Sequence, residues 1–427
     1  MVHLDNTGFL TKGATPILLT HQAAIAAALE NRSRDVTNSP ENTSVASGAT
    51  ASPLRADADH NAQVGGGHVR LADKDADYAK LGINRNSIAP WEDGQRESTE
   101  SGHFEWWYFD THLDDGATVV VAFYTKPTTE PNAALTPMVT INLTLPDGRI
   151  INKAYKARPE EFYASKTGCD VKIGSNRIVG DLHRYRITAK IEDVWVDVDL
   201  VGQVPAWRPK AGHTYYGLPG RPDRLFAWLP SVPQGQVTID YTVDGVAMKG
   251  TGIGYHDHNW GDAPMQSLMH DWYWSRAKIG PYSAINAYVT ANEEFGYSKQ
   301  TTFLLAKDGM IVAQDGAKVV FSAERISTDE HTGKPVADVT RYTYTDGELR
   351  YIVTYTRERT ILQQRFADAL PPAKRVVAKL AGVDSAYLRF TGTVSVEKYQ
   401  GARLVERFDD PGIWELMYFG HARPPLS

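Results

Sequence analysis

The chain has 427 residues, with 45 Lys and Arg against 51 Asp and Glu, so its formal net charge is −6. This balance argues against a nucleic-acid partner, because proteins that bind phosphate backbones cluster an excess of basic residues. The single cysteine, Cys169, excludes an internal disulfide and any metal site built from several thiolates.

Apolar runs such as 117–124 are much shorter than the roughly 20 residues that a membrane-spanning helix needs, so no membrane span is predicted. Residues 16–29 are apolar, but they include His21 and Gln22 and no basic cluster precedes them. This argues against a signal sequence and favours a cytoplasmic protein, with secretion left as the alternative.

Residues 1–100 are predicted to form a largely flexible, mobile leader. Between 31 and 102 the composition shifts to small and polar residues, and aromatic residues are almost absent before Tyr78. The segment from Pro90 to Gly94, which contains Trp91, is either an aromatic anchor that ties the leader to the first domain or a plain turn.

After residue 100 the pattern changes to short β-branched and aromatic runs at intervals of about ten residues. Asp-Gly pairs follow several runs and predict tight hairpins. The pattern does not alternate strands with long helices and contains no phosphate-binding glycine motif. The predicted fold class is mainly β, with two consecutive antiparallel domains at 101–250 and 251–427. A short amphipathic helix is predicted at 371–380 in the second domain.

The first candidate cluster is the run from His103 to Asp110, HFEWWYFD. The two-residue period of a strand puts Trp106 and Tyr108 on one face and Glu105 and Trp107 on the other. Aromatic residues on both faces predict a central strand that is covered on both sides. A carboxylate there must pair or be protonated, so Glu105 is interpreted either as a structural ion pair or as an acid in a pocket.

The second cluster is GIGYHDHNWGD at 252–262, where His256, His258 and Trp260 share one face and Asp257 lies on the other. The histidines resemble half of a cupin metal signature, but the following acid is Asp rather than Glu, and no metal site is predicted. Two interpretations remain. Either Asp257 or a neighbour orients a catalytic imidazole, or the histidines anchor loop backbone.

The third cluster is HDWYWSR at 270–276, in which Trp272 and Trp274 share a face. These two rings can line a pocket, although each alone is more often part of a core. Asp271 is a second candidate for a carboxyl with a raised pKa, and the Tyr282 hydroxyl is a candidate hydrogen-bond donor.

These clusters resemble the hydroxyneurosporene synthase, or carotenoid 1,2-hydratase-like, superfamily, which also contains kievitone hydratase-like enzymes and fungal Diels–Alderases. The resemblance spans about 102–427 and rests on five motifs: FEWWYFD at 104–110, YYGLPGRPDRLFAWLPSVPQG at 215–235, GYHDHNWGD at 254–262, DWYWSRAKIGPYSAI at 271–285 and WELMYFGH at 414–421. It implies two lipocalin-like β-barrels or sandwiches and an enzyme that uses no cofactor and acts on a hydrophobic small molecule.

The resemblance implies that His258 and Trp260 form the His-x-Trp pair of the hydratase branch. The Tyr-x-Asp element expected about 25 residues later has no match, because Tyr282 is followed by Ser283 and Ala284. We therefore expect a cyclase of the Diels–Alderase type, acting on a polyketide or isoprenoid intermediate. A hydratase that adds water to an isoprenoid double bond and a lipocalin-like carrier are the alternatives. The expected catalytic residues are His258, Asp257, Trp260 and Glu105, and the expected substrate-binding residues are Trp107, Tyr108, Trp272, Trp274, Tyr282 and Asp271.

Overall fold

The computed structural model describes residues 66–127, 131–369 and 384–422. Within these ranges the chain forms two large sheets, and every strand pairing in them is antiparallel. The predicted mainly β class is therefore confirmed. None of the described helices is long and apolar enough to cross a membrane. The predicted helix at 371–380 lies outside the described residues.

The first sheet contains thirteen strands in the described residues, in the order β5-β4-β3-β2-β13-β12-β10-β9-β8-β7-β6, with β11 pairing to β12 and β1 to β11. Its strands are β1 (His68–Leu71), β2 (Phe104–Leu113), β3 (Thr118–Tyr124), β4 (Met138–Thr144), β5 (Ile150–Lys156), β6 (Phe162–Ala164), β7 (Cys169–Ile173), β8 (Asn176–Gly180), β9 (Arg184–Ile191), β10 (Val194–Gly202), β11 (His213–Gly217), β12 (Arg224–Val243) and β13 (Val246–Gly261).

The second sheet contains nine strands in the described residues, in the order β17-β16-β15-β14-β22-β21-β20-β19-β18. Its strands are β14 (Met269–Ile279), β15 (Tyr282–Ala291), β16 (Lys299–Lys307), β17 (Met310–Ala313), β18 (Val319–Thr328), β19 (Pro335–Asp346), β20 (Leu349–Arg365), β21 (Ala386–Gln400) and β22 (Arg403–Tyr418). The helices α1 (Asp75–Leu81) and α2 (Met265–Leu268) and five short 3₁₀ turns (Pro90–Asp93, Pro159–Glu161, Glu293–Phe295, Gly316–Lys318 and Phe366–Ala369) complete the described elements.

Each sheet has its own apolar core. The first core draws buried side chains from β2, β3, β4, β7, β8, β9, β10 and β12, with the partly buried Met248 of β13 packed against it, and the second draws them from β14 to β17 and β19 to β22. Burial of these alternating apolar residues is the main driving force for folding of both units. Further apolar clusters lie between the two sheets and hold them face to face.

The tight hairpins predicted from Asp-Gly pairs are confirmed at two positions. Asp244-Gly245 and Asp308-Gly309 both have positive φ at each residue, as a two-residue type I′ hairpin requires. Strand β12 carries Pro230 and Pro233, and its pairing with β13 shifts register there because proline cannot donate a ladder hydrogen bond.

The segment boundaries differ from the predicted ones. Strand β13 runs through position 250, so the chain changes from the first sheet to the second between 261 and 269. The predicted leader is ordered from residue 66, where β1 adds to β11 and α1 follows, while residues 1–65 lie outside the described part of the chain. The division into two domains otherwise remains a prediction.

Candidate active site

Strands β2 and β13 pair with each other and carry two different sets of functional side chains on their two faces. In register, Trp107 lies opposite His258, and Tyr108 lies opposite Asp257. Trp107 and its neighbours point into the core of the first sheet, whereas Tyr108 and Tyr255 belong to a cluster that includes side chains of the second sheet. Both faces of β2 are covered, as predicted.

A closed polar cluster lies on the side of the first core. The His258 Nε2 atom is 2.6 Å from Glu105 Oε1, and the same carboxylate oxygen accepts a 2.7 Å hydrogen bond from the Arg96 backbone N–H. The other imidazole, His256, lies with Nε2 3.3 Å from Asp93 Oδ2. None of these four ionisable side chains, Asp93, Glu105, His256 and His258, is more than 1% exposed.

The Asp93 carboxylate lies between the two imidazoles. It also accepts a hydrogen bond from the Tyr185 hydroxyl, and its backbone carbonyl accepts one from the Trp107 indole. Burial favours the neutral forms, but the attraction between Asp93 and His256 outweighs it, so the pKa of Asp93 is lowered and that of His256 is raised. Asp93 and His256 therefore form a buried ion pair.

One group of side chains in the closed cluster has the spacing of metal ligands. Asp93, Cys169 and His256 each bring one ligand atom within 4.8 Å of the others. Burial raises the pKa of the Cys169 thiol well above its ordinary value, which keeps the sulfur protonated and opposes metal coordination. The donor set therefore fits a packed polar core better than a metal centre.

An inter-sheet cleft lies on the other face of β2 and β13. Most of its lining residues are partly accessible although they lie in central strands of both sheets, whereas Asp257 and Tyr387 are only 7% and 6% exposed; we infer from the accessible residues that a gap lies between the sheets. We define the inter-sheet cleft by Trp106, Tyr108, Trp228 and Asp257 of the first sheet and by Trp272, Trp274, Arg276, Tyr387, Arg389 and Glu415 of the second.

Asp257 is the acid on the first wall of the cleft. It accepts hydrogen bonds from the Tyr255 hydroxyl at 2.7 Å, the Trp228 indole at 2.8 Å and the Asn259 amide at 2.8 Å. None of these donors carries a charge, and burial raises the pKa of Asp257 to about 6. With a pKa near 6, a minor fraction of the protein keeps this proton at neutral pH, and that protonated form can act as a general acid or as a hydrogen-bond donor.

Glu415 is the acid on the second wall. It accepts hydrogen bonds from the Tyr387 hydroxyl and, at 3.3 Å, from the Trp272 indole. Burial raises the pKa of Glu415. The two walls are joined by an ion pair between Arg276 and Asp110, which fixes the position of one sheet on the other.

The structure separates the predicted site residues into three groups. Tyr108, Asp257, Trp272 and Trp274 line the inter-sheet cleft, while Glu105, Trp107, His258 and Trp260 lie on the opposite face of β2 and β13. Asp271 pairs with His270 at 2.5 Å, and Tyr282 is fully buried in the second core.

The prediction that all these residues surround one pocket is therefore wrong. Because neighbouring residues of a strand face opposite ways, Asp257 and His258 cannot share a site on β13. The carboxylate partners of the imidazoles are Asp93 and Glu105, and Asp257 does not orient either ring. Glu105 contacts His258, so of its two interpretations the one in which it has a structural partner fits the structure.

Four residues of the closed cluster and the cleft were not predicted from the sequence: Asp93, Tyr387, Arg389 and Glu415. Asp93 belongs to the segment between Pro90 and Gly94, which is indeed anchored, but by its acids: Asp93 enters the closed cluster and Glu92 lies 3.2 Å from Arg208. Glu415 and Arg389 could have been found because each is a charged residue on a strand whose other face is apolar.

Comparison with known proteins decides the family. The family model described as Diels-Alderase-like matches residues 95–359, more than half of the chain. The protein belongs to the Diels-Alderase-like family. The predicted resemblance is thus confirmed, and the match covers both walls of the cleft except for β21 and β22.

Two curated fungal relatives of this Diels-Alderase-like protein are quinolone epoxide rearrangement proteins. PenF of Penicillium thymicola is 25% identical over 63% of this chain and 70% of its own length. AsqO of Emericella nidulans is 26% identical over 42% of this chain and 45% of its own length. The crystal structure of an AttH protein from Nitrosomonas europaea shares the fold, with a TM-score of 0.51, 17% identity and coverage of 78% of this chain and 96% of that one.

Proposed function

We propose that the protein is a ring-forming isomerase of the Diels–Alderase type that acts on a hydrophobic polyketide or isoprenoid intermediate in the inter-sheet cleft. Membership of the Diels-Alderase-like family supports this reaction class. The observation that carries the proposal is that partly accessible aromatic side chains of both sheets face each other around the two acids Asp257 and Glu415.

An intramolecular cycloaddition needs orientation more than it needs chemical groups, because the reacting atoms are already in one molecule. Holding a flexible chain in its reactive shape can contribute roughly 7 to 11 kcal/mol in favourable cases. Tyr108, Trp272 and Trp274 offer rigid apolar surface for this purpose. A protonated Asp257 supplies a hydrogen bond to a carbonyl that gains negative charge in the transition state.

An acid-assisted rearrangement is the second candidate, and the raised pKa of Asp257 favours it. The two relatives PenF and AsqO are named for epoxide rearrangement. In such a step the Asp257 proton goes to the epoxide oxygen and the carbon–oxygen bond breaks. A neighbouring group then migrates with its electron pair, and a proton lost from the resulting cation returns to the Asp257 carboxylate, so the product is an isomer of the substrate.

Mass spectrometry in ¹⁸O-labelled water tests the reaction class. The protein is incubated with a synthetic linear polyene that carries a conjugated diene and a carbonyl-activated alkene. A product of unchanged mass and no label, formed above the spontaneous background with altered stereochemistry, supports the isomerase. A labelled product heavier by one water indicates the hydratase alternative, and an unchanged product ratio indicates the carrier; either result contradicts the proposal.

The variant Asp257→Asn separates the two isomerase chemistries. Asparagine still donates a hydrogen bond but cannot deliver a proton, so a cycloaddition should lose less than about tenfold in rate and a proton-dependent rearrangement about 100-fold or more. Asp240→Asn is the matched control, because Asp240 pairs with Lys249 at the surface of the same sheet.

We further propose that the protein is located in the cytoplasm. Fluorescence microscopy of a tagged chain tests this proposal.

A further inference from the structure

Arg389 lies on the cleft face of the second sheet. Its chain neighbours Leu388 and Phe390 belong to the second core, so the alternation of the strand turns Arg389 to the opposite face. In register, Trp274, Glu415 and Arg389 stand side by side on β14, β22 and β21. A guanidinium group is thus placed next to an acid and two strands away from an aromatic ring, both of which the proposed function already uses.

Arg389 forms no hydrogen bond or ion pair with any residue that the structure describes. The acids nearest to it are occupied by other donors: Glu415 by Tyr387 and Trp272, and Asp110 by Arg276. A planar cation with five N–H donors is costly to desolvate without a partner. By contrast, Arg276 on the same face has its carboxylate partner in place.

The charge of Arg389 reaches both walls of the cleft. It acts on Tyr108 and His112 of the first sheet and on Tyr387 of its own strand. Burial lowers the pKa of Arg389, but the surrounding Tyr387, Tyr108, Glu415 and Asp110 outweigh this and raise it, so the group stays charged. Among the described residues, Arg389 is therefore a positive charge without a paired acid within an otherwise aromatic and acid-bearing surface.

The geometry points to Arg389 as the binding site for an anionic oxygen group of the substrate, a carboxylate or an enolate at one end of an apolar molecule. This inference rests on the proposed function and adds the substrate class to it. The forked N–H groups of arginine match two oxygens held in one plane, as in a carboxylate or an enolised 1,3-dicarbonyl. Trp274, two strands from Arg389 in the same row, can contact the apolar part of the substrate.

Fluorescence titration with cis-parinaric acid and with its methyl ester tests this assignment. The two probes share one apolar polyene, but only the acid carries a negative charge. Four forms of the full chain are compared: the unchanged protein, Arg389→Met, Arg389→Lys and Arg403→Met. Arg403 is the matched control, because it is exposed on β22 at the far end of the β21–β22 hairpin, about 35 Å along the strand from Arg389.

We expect Arg389→Met to weaken binding of the acid by about tenfold or more and to change binding of the ester by less than about twofold. The affinity of Arg389→Lys for the acid should lie between those of the unchanged protein and Arg389→Met, since lysine keeps the charge but lacks the two parallel N–H donors of the guanidinium group. Urea unfolding provides a second measurement: a structural arginine would lower stability when replaced, whereas loss of an unpartnered charge should leave it equal or higher.

Two results would overturn the inference and can be told apart. If both probes bind and Arg389→Met weakens them equally, or not at all, the cleft is a binding site but Arg389 does not select an anion. If neither probe binds to the unchanged protein, the proposed use of the cleft for apolar substrates fails, and this inference fails with it.

Discussion

The ionisation of Asp257 should make part of the protein's stability depend on pH. Its pKa of about 6 compares with an ordinary value of 3.8, a difference that corresponds to about 3 kcal/mol. Because the folded chain holds this proton more tightly than the unfolded chain, the carboxyl lowers the free energy of unfolding as pH rises from about 4 to about 6. Above that range both states are ionised, and the loss is complete.

The variant Asp257→Asn removes this titration and keeps the size of the side chain. We expect the difference in unfolding free energy between the variant and the unchanged protein to shift by about 3 kcal/mol in favour of the variant between about pH 4 and about pH 7.5. Titration of His256 occurs in both proteins and largely cancels, because Asp93 raises the pKa of His256 more than Asp257 does.

Urea unfolding at a series of pH values measures this difference, and Asp240→Asn serves as the surface control. Infrared spectroscopy gives a direct check, because the part of the protonated-carboxyl signal that titrates near pH 6 in the unchanged protein should be lost in Asp257→Asn, while the signal of other buried acids such as Glu415 remains. A stability difference that stays constant over this pH range would refute the reasoning about the environment of Asp257.

Three further variants test other parts of the structure by urea unfolding. Arg276→Met should destabilise the fold by about 3 to 5 kcal/mol, because the buried Asp110 carboxylate loses its cationic partner and keeps the Tyr108 hydroxyl as a neutral donor; a change below about 1 kcal/mol would contradict this. Gly252→Ala should lower stability or the soluble yield, since a Cβ atom there would lie 2.1 Å from the His112 carbonyl oxygen, and unchanged unfolding would show that the strands have room to separate. Glu105→Gln should cost about 1 to 3 kcal/mol of stability while turnover stays within about tenfold; a stable but inactive variant would return Glu105 to the catalytic set.

Local sequence signals were sufficient to predict the strands and to assign the residues of β2 and β13 to their two faces. The period of two placed Tyr108 apart from Trp107 and Asp257 apart from His258, and the structure has the same division. What the period cannot tell is which face meets a closed core and which meets a gap, because that depends on how the second sheet packs against the first. The closed cluster and the cleft were therefore combined into one site.

Residues supplied from distant parts of the chain were the hardest to predict. Asp93 precedes its partner His256 by more than 160 residues and lies in a segment whose polar composition suggested a flexible leader. Arg389 and Glu415 follow β14 by more than 100 residues, and their meeting with Trp274 requires the strand order β14-β22-β21. No local pattern encodes that order.

Under the proposed function, the arrangement of β2 and β13 separates folding from specificity at single-residue spacing. Side chains at 105, 107, 256 and 258 pack inside the first sheet, while those at 106, 108 and 257 lie on the face that we propose to meet a ligand. A mutagenesis library confined to the second set can therefore diversify ligand preference while the scaffold beneath stays intact. Relatives with different substrates would then diverge along these two strands at every other residue.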